Sequence, residues 1–106
     1  MTDREIVKMA LGLNMFVFGG YVRDVIVCHK RTFHDIDICC PTGSDPMDLI
    51  RIMQTRWHVN HVRKLPPQQY GHMSRGVELV YKCLVDKKIE VDIVVFDGSF
   101  DAWRRE

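Results

Sequence analysis

The chain has 106 residues, of which 46% are hydrophobic and 27% are charged. This composition is typical of one globular domain spanning residues 1–106, and it argues against a disordered, fibrous or multi-domain protein. Fifteen Lys and Arg against 14 Asp and Glu leave a formal net charge of +1. That charge is too small for the non-specific nucleic-acid or membrane binding of a strongly basic domain, so any nucleic-acid contact has to come from a local patch.

The N-terminal segment predicts a short helix. Thr2 and Glu5 have the spacing of a capping box, and an apolar stripe then runs to about Gly12. No long apolar run follows the charged start of the chain, so we expect neither a signal peptide nor a membrane span.

The next predicted elements are a buried strand, a tight turn and a helix. Residues 15–18 are apolar, aromatic and β-branched, and they end at Gly19 and Gly20. An apolar run that stops at two glycines predicts a strand leading into a turn. A helix over about residues 21–28 is expected to follow.

A second strand is predicted over residues 35–40, where polar and apolar residues alternate before a proline. The period of two places Asp35 and Asp37 on one face of this strand. A helix is expected next, with Ser44 or Asp45 as its N-cap and Pro46 near its first position. Its apolar stripe consists of Leu49, Ile50, Met53 and Trp57.

The last third of the chain predicts three strands. Residues 59–65 form a short strand, and residues 66–76 have the Pro, Gly and Gln content of an exposed loop. Residues 77–85 and 89–96 are rich in β-formers and are expected to pair as a hairpin. The tail over 97–106 is mostly polar. The expected fold class is therefore α+β, with a small mixed β-sheet flanked by helices.

The cysteines predict no disulfide framework. They form no C-x-x-C pair, two of them are adjacent, and no Cys or His pair has the spacing of a zinc finger. We expect reduced, mostly buried thiols in an intracellular, cytoplasmic protein. The four residues are Cys28, Cys39, Cys40 and Cys83.

Acidic residues on two predicted strands suggest a metal site. Asp35 and Asp37 lie about 7 Å apart along one strand face, and Asp92 or Glu90 can join them from a neighbouring strand about 4.8 Å away. Carboxylates gathered in this way repel one another unless a cation lies between them. Oxygen ligands of this kind suit Mg²⁺ or Mn²⁺. The simpler alternative is that the same residues form solvated strand faces, with Glu90 and Asp92 opposite Lys82.

The run Phe18-Gly-Gly-Tyr-Val-Arg-Asp24, followed by Asp35-Ile-Asp37, resembles the signature of the polymerase-β-type nucleotidyltransferases. Within that superfamily it is most similar to the head domain of tRNA CCA-adding enzymes and bacterial poly(A) polymerases. The resemblance covers residues 14–40 and, as a pattern only, residues 77–96. It implies a polymerase-β-like fold and transfer of a nucleoside monophosphate from an NTP to a hydroxyl, with release of pyrophosphate.

The same resemblance implies roles for individual residues. Gly19 and Gly20 would hold the triphosphate, with Arg23 supporting that loop or its phosphates. Asp35 and Asp37 would ligate two metal ions.

The resemblance also implies a third catalytic carboxylate from a later strand. Asp92 is our first choice, because it stands between two hydrophobic residues. Glu90 is its rival, because the CCA-adding branch has a Glu-Val pair similar to Glu90-Val91.

Two functional hypotheses follow. The first is a minimal enzyme whose acceptor is an RNA 3′ end or a hydroxyl on a partner protein. The second is a non-catalytic nucleotide-binding or interaction module derived from such a domain, since 106 residues leave no room for the helical domains that grip tRNA. We also expect that a sheet this small can associate as a homodimer or with a helical partner.

Overall fold

The computed structural model describes residues 2–18, 35–66 and 77–96. Within these ranges lie two helices and five strands: α1 (Thr2–Gly12), β1 (Phe16–Phe18), β2 (Asp35–Cys40), α2 (Pro46–Arg56), β3 (Val59–Leu65), β4 (Val77–Val85) and β5 (Ile89–Phe96). The α+β class is thereby confirmed. The helix predicted over 21–28, the loop after Pro66 and the tail over 97–106 lie outside the described residues. Neither of the described helices is long and apolar enough to cross a membrane.

The five strands form one mixed sheet in the order β1-β2-β5-β4-β3. Strands β2 and β5 are parallel, and the other neighbouring pairs are antiparallel. The predicted hairpin of β4 and β5 is confirmed, with Val85 opposite Ile89. Strands β2, β5 and β4 each have a hydrogen-bonded neighbour on both sides, and β2 and β5 are called the central strands below.

Both helices cover one face of the sheet. Ile6 and Ala10 of α1 and the buried residues of α2 pack against the apolar residues of β2 and β5 in the larger of two core clusters. The alternation of β2 sends Ile36 and Ile38 into this core and leaves Asp35 and Asp37 on the opposite face. The members from α2 and β5 are Leu49, Ile50, Met53, Val91 and Ile93.

Local signals explain the bounds of α2. Asp45, rather than Ser44, is the N-cap, and its side chain accepts a hydrogen bond of 2.9 Å from the Met47 N–H. Trp57 differs from the prediction, because it follows the helix in an extended conformation. Its N–H still bonds to the Met53 carbonyl at 2.9 Å, and its half-buried ring packs against the core. The predicted apolar role of Trp57 is therefore right, although its place within the helix is wrong.

Strand β3 contains a β-bulge. Asn60 is opposite Leu84 and Arg63 is opposite Lys82, so β3 has one more residue than β4 over this stretch. His61, within the bulge, has a φ of 55°, in the left-handed region. The extra residue reverses the alternation of side chains along the rest of β3.

Candidate metal centre

The central strands bring four acidic residues to one face of the sheet. In the parallel register of β2 and β5, Asp35 is opposite Glu90 and Asp37 is opposite Asp92. Because the side-chain period of a strand is two, all four carboxylates lie on the face of the sheet opposite to α1 and α2. The sequence predicted this convergence, and the register confirms that the two strands are neighbours.

Three of these carboxylates lie close enough to share an ion. Asp35, Asp37 and Asp92 each offer an oxygen, and these atoms all lie within 4.8 Å of one another. Glu90 does not belong to this group. Its side chain is 44% exposed, and its Oε1 lies 3.6 Å from Lys82 Nζ. Between the two candidates for the third carboxylate, the geometry therefore favours Asp92.

Asp92 is the most unusual member of the cluster. The residue is only 4% exposed, and its Oδ1 is buried without a hydrogen-bond partner among the described residues. Buried polar atoms are almost always paired, because leaving water without a new partner costs free energy. An unpaired carboxylate oxygen beside two other carboxylates is the feature that a bound cation would explain.

The surroundings of Asp92 favour its protonated form. Its pKa is raised to about 6, chiefly by burial. Lys82 opposes this shift, while the neighbouring carboxylates of Asp37, Glu90 and Asp35 add to it. A carboxyl group in such an environment binds a proton readily in the absence of a metal ion.

Lys82 is a part of the site that the sequence suggested only as an ion-pair partner of Glu90 and Asp92 on a solvated strand face. It lies on β4 opposite Asp92, and its Nζ is 3.7 Å from Asp92 Oδ2 and 3.6 Å from Glu90 Oε1. The ammonium group thus supplies a counter-charge to two acidic residues at once. The hairpin prediction contained the signal, because counting back from the turn places Lys82 opposite Asp92.

A cavity of about 400 Å³ lies on the side of β4 and β3, where it is lined in part by Lys82, the neighbour of Asp92. This cavity could not be predicted from the sequence, because its basic residues come together through the bulge in β3. The lining residues are His61, Arg63, Lys82, Cys83, Leu84 and Glu90.

The type of donor atom decides which metal ions the three aspartates can bind. Three carboxylate oxygens are hard donors, and they suit a hard cation better than a soft one. The described part of the chain places no Cys or His in this group. Asp35, Asp37 and Asp92 together can therefore bind a metal ion.

The described cysteines are structural. Cys39, Cys40 and Cys83 are buried, as predicted. Burial raises the pKa of the Cys40 thiol to about 11 and that of Cys83 to about 12. Thiols with such pKa values stay protonated at neutral pH and are poor nucleophiles and poor metal ligands. Cys28 lies outside the described residues.

The predicted nucleotide-binding residues, Gly19, Gly20 and Arg23, also lie outside the described residues. The strand that precedes them is described, however. Phe18, the last residue of β1, is opposite Asp37 in the antiparallel register. The chain therefore leaves β1 beside the acidic cluster.

Comparisons of the chain with protein-family models, with curated proteins and with solved structures found no match.

Proposed function

We propose that this chain is a metal-dependent nucleotidyltransferase with a polymerase-β-like fold. The observation that carries the proposal is the group of Asp35, Asp37 and Asp92, whose ligand oxygens lie within 4.8 Å of one another, together with the buried Asp92 Oδ1 that has no hydrogen-bond partner among the described residues. Two further features support it. The carboxylates come from two parallel central strands, and the Gly19-Gly20 pair follows a strand that ends opposite Asp37.

The proposed reaction transfers a nucleoside monophosphate. An acceptor hydroxyl attacks the α-phosphorus of an NTP and forms a new O–P bond, the bond between the α-phosphorus and the oxygen that bridges to the β-phosphorus breaks, pyrophosphate leaves, and the hydroxyl proton passes to solvent water. The acceptor is an RNA 3′ end in our leading version and a protein hydroxyl in the other. Gly19, Gly20 and Arg23 would bind the triphosphate through backbone N–H groups and the guanidinium.

The three aspartates are the residues that would hold Mg²⁺ or Mn²⁺. When bound, the cation supplies positive charge that stabilises the phosphoryl group during transfer. Asp35 and Asp37 are held rigidly, because Ile36 between them and Ile38 after them are buried in the core. Asp92, being buried, places its carboxylate where water competes least for its oxygens. The chain's own contribution is thus to fix three oxygen ligands before the substrate arrives.

One observation favours the second candidate, a non-catalytic nucleotide-binding module. Lys82 Nζ already lies within 3.7 Å of Asp92 and Glu90 oxygens. An internal counter-charge of this kind can stabilise an acidic cluster without a metal ion. Titration calorimetry with each NTP and Mg²⁺, followed by a pyrophosphate-release assay on bulk RNA and cell extract, separates the two. Binding without turnover favours the module.

The test of the enzyme is the double variant Asp35→Asn, Asp37→Asn. It removes two of three ligands, so transfer of label from an NTP labelled at the α-phosphate should fall by at least about 100-fold. The matched control is Asp48→Asn with Glu78→Gln, which makes the same charge change at exposed positions. The control should label acceptors like the wild type. Undiminished labelling by the Asp35 and Asp37 variant would refute the mechanism.

A further inference from the structure

One row of paired residues crosses the whole sheet on the face opposite to α1 and α2. Successive registers connect a residue from each strand, and side chains of paired residues point to the same side. The row divides by charge, with carboxylates on β2 and β5 and cations on β4 and β3. From β1 to β3 its members are Phe18, Asp37, Asp92, Lys82 and Arg63.

The bulge in β3 is what puts Arg63 in this row. Counting by twos from Asn60, a regular strand would place Val62 opposite Lys82 and turn Arg63 to the other face. The extra residue at the bulge places Arg63 there instead. His61 lines the same cavity of about 400 Å³. A bulge that redirects a cation towards a cavity beside a candidate active site is a common use of this feature.

Arg63 is available to an external anion. Its side chain is exposed, and it forms no ion pair within the described ranges 2–18, 35–66 and 77–96. Lys82, by contrast, is already engaged with Glu90 and Asp92. A guanidinium presents a planar fork of donors that matches two phosphate oxygens. Arg63 is therefore a cation in the cavity lining that no carboxylate of the described residues neutralises.

The position of the cavity indicates which phosphate it receives. Strand β1, which leads to the Gly19-Gly20 pair, lies on one side of the acidic cluster, and the cavity lies on the other. In an in-line displacement the attacking and leaving oxygens stand on opposite sides of the phosphorus. If the leaving pyrophosphate is on the β1 side, the acceptor RNA approaches from the side of β4 and β3.

We propose that the cavity between β3 and β4 is a phosphate subsite for the acceptor, in which Arg63 and His61 bind a backbone phosphodiester near the attacking end of a single-stranded RNA. This inference rests on the proposed function and adds to it the place and the chemistry of acceptor binding. Arg63 and His61 act as positioning residues, since they hold the acceptor without touching the reacting atoms.

The test compares Arg63→Gln with Lys64→Gln. Both variants remove one positive charge from β3, but Lys64 is opposite Tyr81 and lies on the other face. Binding of a short single-stranded RNA ending in a 3′-deoxy residue is measured by fluorescence anisotropy over a range of salt concentrations. Arg63→Gln should weaken binding about fivefold and reduce the salt slope by about 0.7, whereas Lys64→Gln should change neither by half as much.

Two further binding measurements show whether the cavity binds the phosphates of RNA or those of the nucleotide, and they test this inference separately from the proposed function. Affinities for inorganic tripolyphosphate and for Mn²⁺ should be the same in Arg63→Gln as in the wild type. If Arg63→Gln lost as much affinity for tripolyphosphate as for RNA, the cavity would be assigned to the nucleotide and the inference would be overturned. So would equal effects of the two variants, or a wild type that does not bind RNA.

A second variant guards against a folding defect. His61→Asn removes the imidazole, while Asn tolerates the positive φ at this position; it should weaken RNA binding in the same direction with an unchanged melting temperature. If it leaves RNA binding unaltered, His61 is not part of the subsite. If the wild type fails to bind Mn²⁺ while Arg63→Gln still weakens RNA binding, the metal mechanism fails and the subsite stands.

Discussion

Asp92 carries an energetic conflict that the metal-free protein has to tolerate. Its carboxyl group is buried among other acidic groups, so its pKa in the folded state is raised to about 6 from an ordinary value of 3.8. A raised pKa means that the folded state binds the proton more tightly than the unfolded state does. The contribution of this group to stability is therefore fully present below pH 3.8 and is lost as the pH rises through about 6.

This conflict predicts how Asp92→Asn changes the pH dependence of stability. The pKa shift corresponds to about 3 kcal/mol. The free energy of unfolding of the variant, relative to that of the wild type, should therefore rise by roughly 1 to 3 kcal/mol as the pH is raised from about 4 to about 7.5. Urea denaturation in the presence of a chelator measures this difference. Asp48→Asn, in an exposed position on α2, is the control and should show no such trend. A constant difference between Asp92→Asn and wild type across this range would contradict the assignment.

At the residue scale, the sequence predicted the acidic cluster but not its limits. Asp35 and Asp37 were recognisable because two residues at i and i+2 on a strand share a face. The choice between Glu90 and Asp92 stayed open, because both share a face and both pair with an aspartate of β2, so that only the side-chain positions separate them. Arg63 was missed for a different reason. Its side is set by a bulge, and nothing in residues 59–65 marks one.

At the scale of elements, α2 illustrates a segment whose local signals agree. A capping aspartate, a proline at the first turn and an apolar stripe at helical spacing all predict the same helix. The stripe fills the core beneath the strands that carry the acidic cluster. The end of the helix was less predictable, since Trp57 is apolar in either conformation and its burial does not depend on its being helical.

The cap of α2 gives a prediction that concerns stability alone. Asp45→Ala removes the acceptor for the Met47 N–H, and we expect a loss of about 1 kcal/mol in the free energy of unfolding. Asp48→Ala, which removes an acidic side chain from the same turn without a capping bond, should cost less than half of that. Thermal or urea denaturation of both variants measures the effect. Equal losses would show that charge, and not the cap, stabilises this end.

The pairing of the strands was harder to predict from the sequence than the strands themselves. The hairpin of β4 and β5 could be predicted because its partners are separated by a short turn. The parallel contact of β2 with β5 joins residues 55 positions apart in the chain, since Asp35 pairs with Glu90, and no local rule determines such a pairing. The candidate centre depends on this contact, so its geometry required the structure.

At the scale of the whole molecule, metal binding should appear as added stability. A ligand that binds only the folded state raises the free energy of unfolding, by about 2.7 kcal/mol at 100 times its dissociation constant. For a domain of this size, Mn²⁺ at that level should raise the melting temperature by on the order of 10 °C. The Asp35→Asn, Asp37→Asn variant should lose this increase, and the Asp48→Asn, Glu78→Gln control should keep it. Equal increases in all three proteins would place the metal elsewhere.

The order of strands also divides the face of the sheet into a rigid half and an adaptable half. Amides of β2 and β5 have neighbours on both sides, so their hydrogens should exchange with solvent only when the entire sheet opens. Strand β3 is at an edge, where fraying is cheaper and exchange is faster. The carboxylates thus keep their arrangement when the edge of the sheet opens locally. The edge strand that carries Arg63 can adjust to ligands of different shape without moving the carboxylates.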